Sequence, residues 1–195
     1  MERITTIGPD ELAAMPYDFG VLSAPVIPWS EEELAQHSKT HVLIFTPCVA
    51  TINSLREKFG IDPNVSEPCF YNQDWYLKED FANTPLDGKW HLIRKQVLED
   101  ARAKQPEEIE AALAHEESFS TAVTCAFAFF SYWFHTNGEK LWEHDFVWCS
   151  DRDHNGDRVY IGRYEDPDGV NKNGFNIHRH LALRHSYSAA PEIII

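Results

Sequence analysis

The sequence predicts a single-domain α+β protein: an antiparallel β-meander packed on a long apolar helix, with a βα unit near the N-terminus. Three observations predict it. The run Ala122 to Phe134 is apolar nearly all round, as a helix at the centre of a core must be. From Glu143 onward, strand-like runs alternate with short turns, and connections that short join antiparallel neighbours. Between His41 and Gly60, a β-branched and aromatic run leads through Pro47 into residues at helical spacing. A length of 195 residues suits one core. Residues 1–40 read as an arm with short helices, and 41–195 as the domain.

Each element has a local cause. Pro9-Asp10-Glu11 opens a short helix with proline at its first position. Pro16, Pro25 and Pro28 then keep Met15 to Trp29 extended, because each removes a backbone donor. Ser30 with Glu33 three residues later forms a capping box for a helix through His37. His41 to Thr46 is a strand buried on both faces, and Ile52, Leu55 and Phe59 mark a helix that Gly60 stops. Ile61 to Asn83, with Trp75, Tyr71 and Tyr76, is irregular aromatic cover for the core. The Asp87-Gly88 turn leads into a strand at Trp90 to Arg94. Pro106 opens another helix, and the apolar spacing from Ile109 to Phe130 fits one long helix or two joined near Glu116 to Ser120. The meander follows, as strands at Glu143 to Cys149 and Arg158 to Tyr164 and a third carrying His178 and His180. The terminal Ile193 to Ile195 suits an edge strand, a contact with another chain, or a frayed end.

Composition narrows the function. With 31 acidic against 17 basic residues the formal charge is -14, a sign that repels phosphate backbones, so no direct nucleic-acid binding is expected. The same charge suits an acidic inhibitor that mimics nucleic acid towards a basic partner. Cys48, Cys69, Cys125 and Cys149 form no C-x-x-C pair, which argues against a zinc ribbon or a thioredoxin-type site and for buried, reduced thiols. Met1 to Gly8 lacks the basic start and apolar run of a signal peptide, and no apolar run reaches the roughly 20 residues that span a bilayer. The expectation is a cytoplasmic protein without a membrane partner.

Two patterns suggest metals. Asp151, Asp153, Asn155 and Asp157 place oxygen side chains around a Gly156 turn, as calcium loops do. The ninth and twelfth positions of such a loop are Val159 and Gly162, so a plain, solvated hairpin turn is the alternative. His178 and His180, two apart on a strand, point to one face and can share a transition metal, although Leu181 to Arg184 supplies no acidic third ligand. A metal-dependent enzyme with an acidic general base is one reading of that pair; surface histidines are the other. No G-x-S-x-G elbow is present.

The other functional signal is a surface. Asn171, Lys172, Asn173, His178, Arg179, His180, Arg184, His185 and Tyr187 make a locally basic, aromatic stretch in an acidic chain, suited to a partner protein or small ligand that is negatively charged or planar. Substituting Arg179 or Tyr187 is expected to abolish binding and spare stability.

Gly88 to Lys95 (GKWHLIRK) and Cys149 to Gly162 (CSDRDHNGDRVYIG) resemble a loosely defined group of uncharacterised bacterial proteins. That group carries the two blocks in the same order, ahead of a C-terminal segment of variable composition. The resemblance covers about half of the chain. In some members the ending has the look of targeted diversification, which implies a binding surface rather than an active site. The sequence reading is therefore a non-enzymatic recognition protein presenting its C-terminal strands and loops.

Overall fold

The computed structural model describes residues 3–20, 23–164, 174–179 and 183–195. In chain order these form β1 (Thr5–Ile7), α1 (Pro9–Ala13), α2 (Glu31–His37), β2 (His41–Phe45), α3 (Ile52–Phe59), α4 (Asp80–Asn83) and β3 (Trp90–Arg94). A 3-10 turn (Glu99–Ala101), α5 (Pro106–Ala112), β4 (Glu117–Ser118) and α6 (Ala122–His135) follow. The chain then adds β5 (Phe146–Arg152), β6 (Arg158–Tyr164), β7 (Gly174–Arg179), β8 (Tyr187–Ser188) and β9 (Glu192–Ile193).

Helix starts are fixed by local hydrogen bonds. The Ser30 hydroxyl accepts from the Glu33 amide at 3.3 Å while the Glu33 carboxylate accepts from the Ser30 amide at 2.7 Å, the reciprocal pair that satisfies two end donors of α2. Thr51 caps α3 through the Ser54 amide at 3.1 Å, and Thr121 caps α6 through the Thr124 amide at 3.2 Å.

The strands form two sheets, in orders β1-β2-β3-β9-β4 and β7-β6-β5-β8. In the first, β1 runs parallel to β2 and the remaining pairs are antiparallel. In the second, β5, β6 and β7 make the antiparallel meander, and β8 joins β5 in parallel. Helix α6 lies between the sheets, touching β1 on one side and β5 and β6 on the other. Alternation along the strands sorts their side chains by face. Val42, Ile44 and Ile93 of the first sheet and Val159, Ile161 and Ile177 of the second join α6 in the main core. The outer face of the first sheet, with Leu43 and Leu92, is covered by Trp29, Ile27 and Leu34 from the arm and α2. The outer face of the second, with Trp148, Tyr160 and Tyr187, is covered by Leu98, Ala101 and Ile109.

Aromatic rings knit the centre. Phe130 of α6 stacks on Phe59 of α3 at 4.0 Å between centroids, and on Phe70 at 4.9 Å. Phe175 also bonds through its main chain to the residues flanking Phe70, accepting from the Tyr71 amide at 2.8 Å and donating to the Cys69 carbonyl at 2.8 Å. The irregular stretch after α3 thus covers the outer edge of β7.

Several details differ from the sequence reading. Of the two arrangements expected between Ile109 and Phe130, the structure has the two helices, α5 and α6, and adds the unforeseen β4 at their junction. The first meander strand starts at Phe146 rather than Glu143, because Trp142 to Asp145 form a turn closed by the Asp145 amide on the Trp142 carbonyl at 3.0 Å. Strand β1 is too short to show a period, yet it puts Ile7 in the main core. Glu192 and Ile193 lie inside the first sheet, between β3 and β4, not at its edge. Cys48 is exposed, while the other three cysteines are buried. Among the described residues, no helix is long and apolar enough to cross a membrane.

Gly162 faces Phe146 in the β5–β6 ladder, and a Cβ there would lie 2.5 Å from the Asp145 carbonyl oxygen and 2.6 Å from the Phe146 ring. Gly162→Ala is therefore expected to cost about 1–3 kcal/mol in urea denaturation, the usual price of overpacking against backbone. An unchanged midpoint would contradict this close approach.

Candidate functional site

The acidic turn after β5 closes on itself. Asp151 reaches back to the start of α6, where its carboxylate accepts the Ala122 amide at 2.5 Å; burial raises its pKa despite that bond. The Asp153 side chain is fully buried. Its Oδ1 accepts the Asn155 and Asp157 amides at 2.8 and 2.9 Å, and its Oδ2 accepts from Arg179 at 2.6 Å. Burial pushes this carboxyl up, but the bonds from Arg179 and the two amides outweigh it and hold the pKa below its ordinary value. Gly156, at φ 86, allows the bend. Of the oxygens that suggest calcium, those of Asp151 and Asp153 are committed to backbone amides, with Arg179 supplying the counter-charge to Asp153. Among the described residues, no three His, Cys, Asp or Glu side chains are grouped so as to hold a metal ion.

Arg179 does more than close that turn. Its guanidinium lies over the Trp75 ring at 4.6 Å and stands 3.9 Å from buried Glu79. Glu79 in turn accepts from the His154 amide at 3.0 Å and meets its Nδ1 at 2.6 Å. The Trp75 indole donates to the Ile177 carbonyl at 3.0 Å. Arg179 is thus a tie between β7, the acidic turn and the aromatic cover, which removes it from the set of free recognition residues.

The other residues singled out by sequence have separate fates. His178 is half-buried and stacks on Tyr160, its partner across the ladder, at 5.5 Å and 10°. His180, Asn171, Lys172 and Asn173 lie outside the described residues. Tyr187 is buried, and its hydroxyl accepts from Tyr160 at 3.3 Å, so it belongs to the core behind the second sheet. Arg184 and His185 are exposed.

Those two rim an open hollow of about 610 Å³, together with Glu99, Arg102, His144, Asp145 and Ser186. Arg102 is its floor. It holds Glu99 through Nε and Nη2 at 2.7 and 2.8 Å, grips both Asp145 oxygens at 2.5 and 3.1 Å, and donates to the His185 carbonyl at 3.2 Å. One fork-shaped cation therefore pairs with both of the nearest acids. The same guanidinium fixes the backbone that carries Arg184 and His185. A second hollow shares Glu99, Arg102, His144 and Asp145 and extends towards Lys95 and Lys140.

One group was not singled out from the sequence. His91 of β3 bridges two carboxylates, Nδ1 to Glu192 at 2.6 Å and Nε2 to Asp87 at 2.9 Å. Asp87 also accepts from the Thr46 hydroxyl at 2.9 Å and the Lys89 amide at 3.2 Å. Burial alone would lower the imidazole pKa, but bonds to Asp87 and Glu192 raise it to about 9. Burial would raise Asp87, and the bond from His91 with its positive charge reverses that, leaving its pKa well below the carboxylate range. The four-residue step from Asp87 to His91 was visible in the sequence. Glu192, on β9, was not.

No protein family matches the chain, and no match was found among curated proteins or solved structures.

Two expectations follow from this geometry. Because the folded pKa of His91 lies above its unfolded value of 6.5, its contribution to stability is complete below pH 6.5 and is lost as pH rises towards 9. The wild-type minus His91→Gln stability difference should shrink over that window by on the order of 3 kcal/mol at most, at about 1.4 kcal/mol per pKa unit; a pH-independent difference would show the clasp to be uncharged. Arg179→Ala, which strands the buried Asp153 carboxylate, should cost on the order of 2 kcal/mol in chemical denaturation. Equal stability of this variant and wild type would return Arg179 to the surface set.

Proposed function

We propose that the protein is a non-enzymatic recognition module whose C-terminal loop, at Arg184 and His185, engages a partner or ligand carrying negative charge. The observation that carries the reading is the hollow around Arg102. Its acids, Glu99 and Asp145, are already paired with Arg102, whereas Arg184 and His185 stand exposed beside them on a backbone that Arg102 holds in place. An anionic group approaching there meets uncommitted donors. On a chain of formal charge -14, a patch whose two arginines balance its two acids repels such a group less than the average surface, and the exposed Arg184 sets its orientation. A binding rather than catalytic role is supported by the titratable groups of the hollow floor being saturated by one another.

A fluorescently labelled oligoglutamate peptide tests this directly. Saturable, salt-sensitive binding should weaken by about tenfold or more in an Arg184→Glu, His185→Glu double variant, with the melting temperature nearly unchanged because both residues are exposed. Absence of saturable binding, or equal binding by the variant, would overturn the proposal.

A further inference from the structure

We propose that the pocket between the N-terminal arm and the C-terminal strand β9 binds a small amphiphile with an apolar tail and one carboxylate head. This is a second site, sharing no lining residue with the hollow around Arg102.

The pocket exists because two strands part. β3 and β9 pair only at Leu92–Ile193 and Ile93–Glu192. Beyond that point Ile194 stays with β4, its amide donating to the Glu116 carbonyl at 2.7 Å, while no further pairing among the described residues joins it to β3. The arm closes the gap from outside, anchored by the Trp90 indole, which donates to the Pro25 carbonyl at 2.8 Å. A cavity of about 450 Å³ remains, within the range of roughly 300–1,000 Å³ usual for small-molecule sites.

Its walls are apolar, formed by Pro25, Pro28, Trp29, Trp90 and Ile193. The rim is apolar as well. Among the described residues the exposed large hydrophobics are Val26, Val49, Val65, Ile194 and Ile195, and three of these line this one pocket: Val26 at 91%, Ile194 at 44% and Ile195 at 82% exposure. Single exposed apolar residues are ordinary on a surface; their clustering around a cavity is not.

The charge of the head follows from which polar groups are spoken for. Asp87 and Glu192 also line the pocket, but each gives an oxygen to His91, whose charge offsets part of theirs. Lys89 is different. Its side chain is 73% exposed, and Nζ stands 3.8 Å from Asp87 Oδ2, beyond hydrogen-bond reach. Trp29, in the same wall, has an indole N–H buried without a hydrogen-bond partner. A carboxylate beside Lys89 gains an ion pair with donors otherwise left to water, and its alkyl tail displaces water from the Trp29, Trp90 and Ile193 surfaces. An ammonium head in that position meets Lys89 with the same sign.

The test is titration of the intact protein with decanoate, decanol and decyltrimethylammonium below their micelle concentrations, followed by calorimetry and tryptophan fluorescence. Decanoate should bind saturably, decanol about tenfold more weakly, and the ammonium not at all. Lys89→Ala should reduce decanoate affinity to that of decanol while leaving decanol unchanged, and Val26→Asp should abolish binding of both. Both positions are exposed, so denaturation midpoints should stay at the wild-type value and keep the comparison interpretable. Absence of saturable decanoate binding, equal affinity for all three amphiphiles, or indifference to Lys89→Ala would overturn the assignment. So would a dimer that occludes the pocket and is dispersed by Val26→Asp, since the occupant would then be a second copy of the chain.

Discussion

A helix with no polar face has nowhere to meet water, and α6 is such a helix. Residues Ala122 to Tyr132 are all buried. One covering layer cannot achieve this, because a sheet shields only one side of a cylinder. The fold answers with a sheet on either side, and with α3 and α4 and the irregular aromatic stretch around the remainder. Phe130 shows the outcome at one residue: its ring meets Phe59 from a helix, Phe70 from a loop and Phe175 from a strand. Each sheet then has a second face to hide, which accounts for the arm on one outer surface and the segment around Ala101 and Ile109 on the other.

This layering explains why most individual elements could be read from sequence while some of their long-range pairings could not. The apolar run of α6, the Ser30 capping box and the strand-like run from Arg158 to Tyr164 are local patterns, legible over a few residues. What escaped is set by pairing over distance. Glu192 is a sheet-interior residue because Ile93 stands opposite it, and nothing near Glu192 says so. Tyr187 looks like a surface aromatic until β8 aligns with β5 and turns it into the core.

The candidate sites were legible to a lesser degree, for a related reason. Arg184 and His185 stand out as basic residues in an acidic chain, and they remain exposed. Arg179 has the same chemistry but a different neighbour: Asp153 lies buried within reach, and a buried carboxylate claims the nearest guanidinium. The acidic turn reads as a cation loop because its spacing puts oxygens on one side of a bend. Whether they point at an ion or at backbone amides depends on Arg179, 26 residues away.

The position of β9 has a bearing on how the protein reaches this state. Glu192 and Ile193 sit between β3 and β4, so neither neighbour in the first sheet can be bridged to the other until they arrive. β3 and β9 are separated by about a hundred residues of chain, as the His91–Glu192 contact spans 101. Closing so long a loop is entropically slow, and the ladders it completes cannot help nucleate folding. Until then, the open hydrogen-bonding edge of β3 would be solvent-facing on a growing chain. The first sheet is thus the natural place for synthesis and folding to fall out of step.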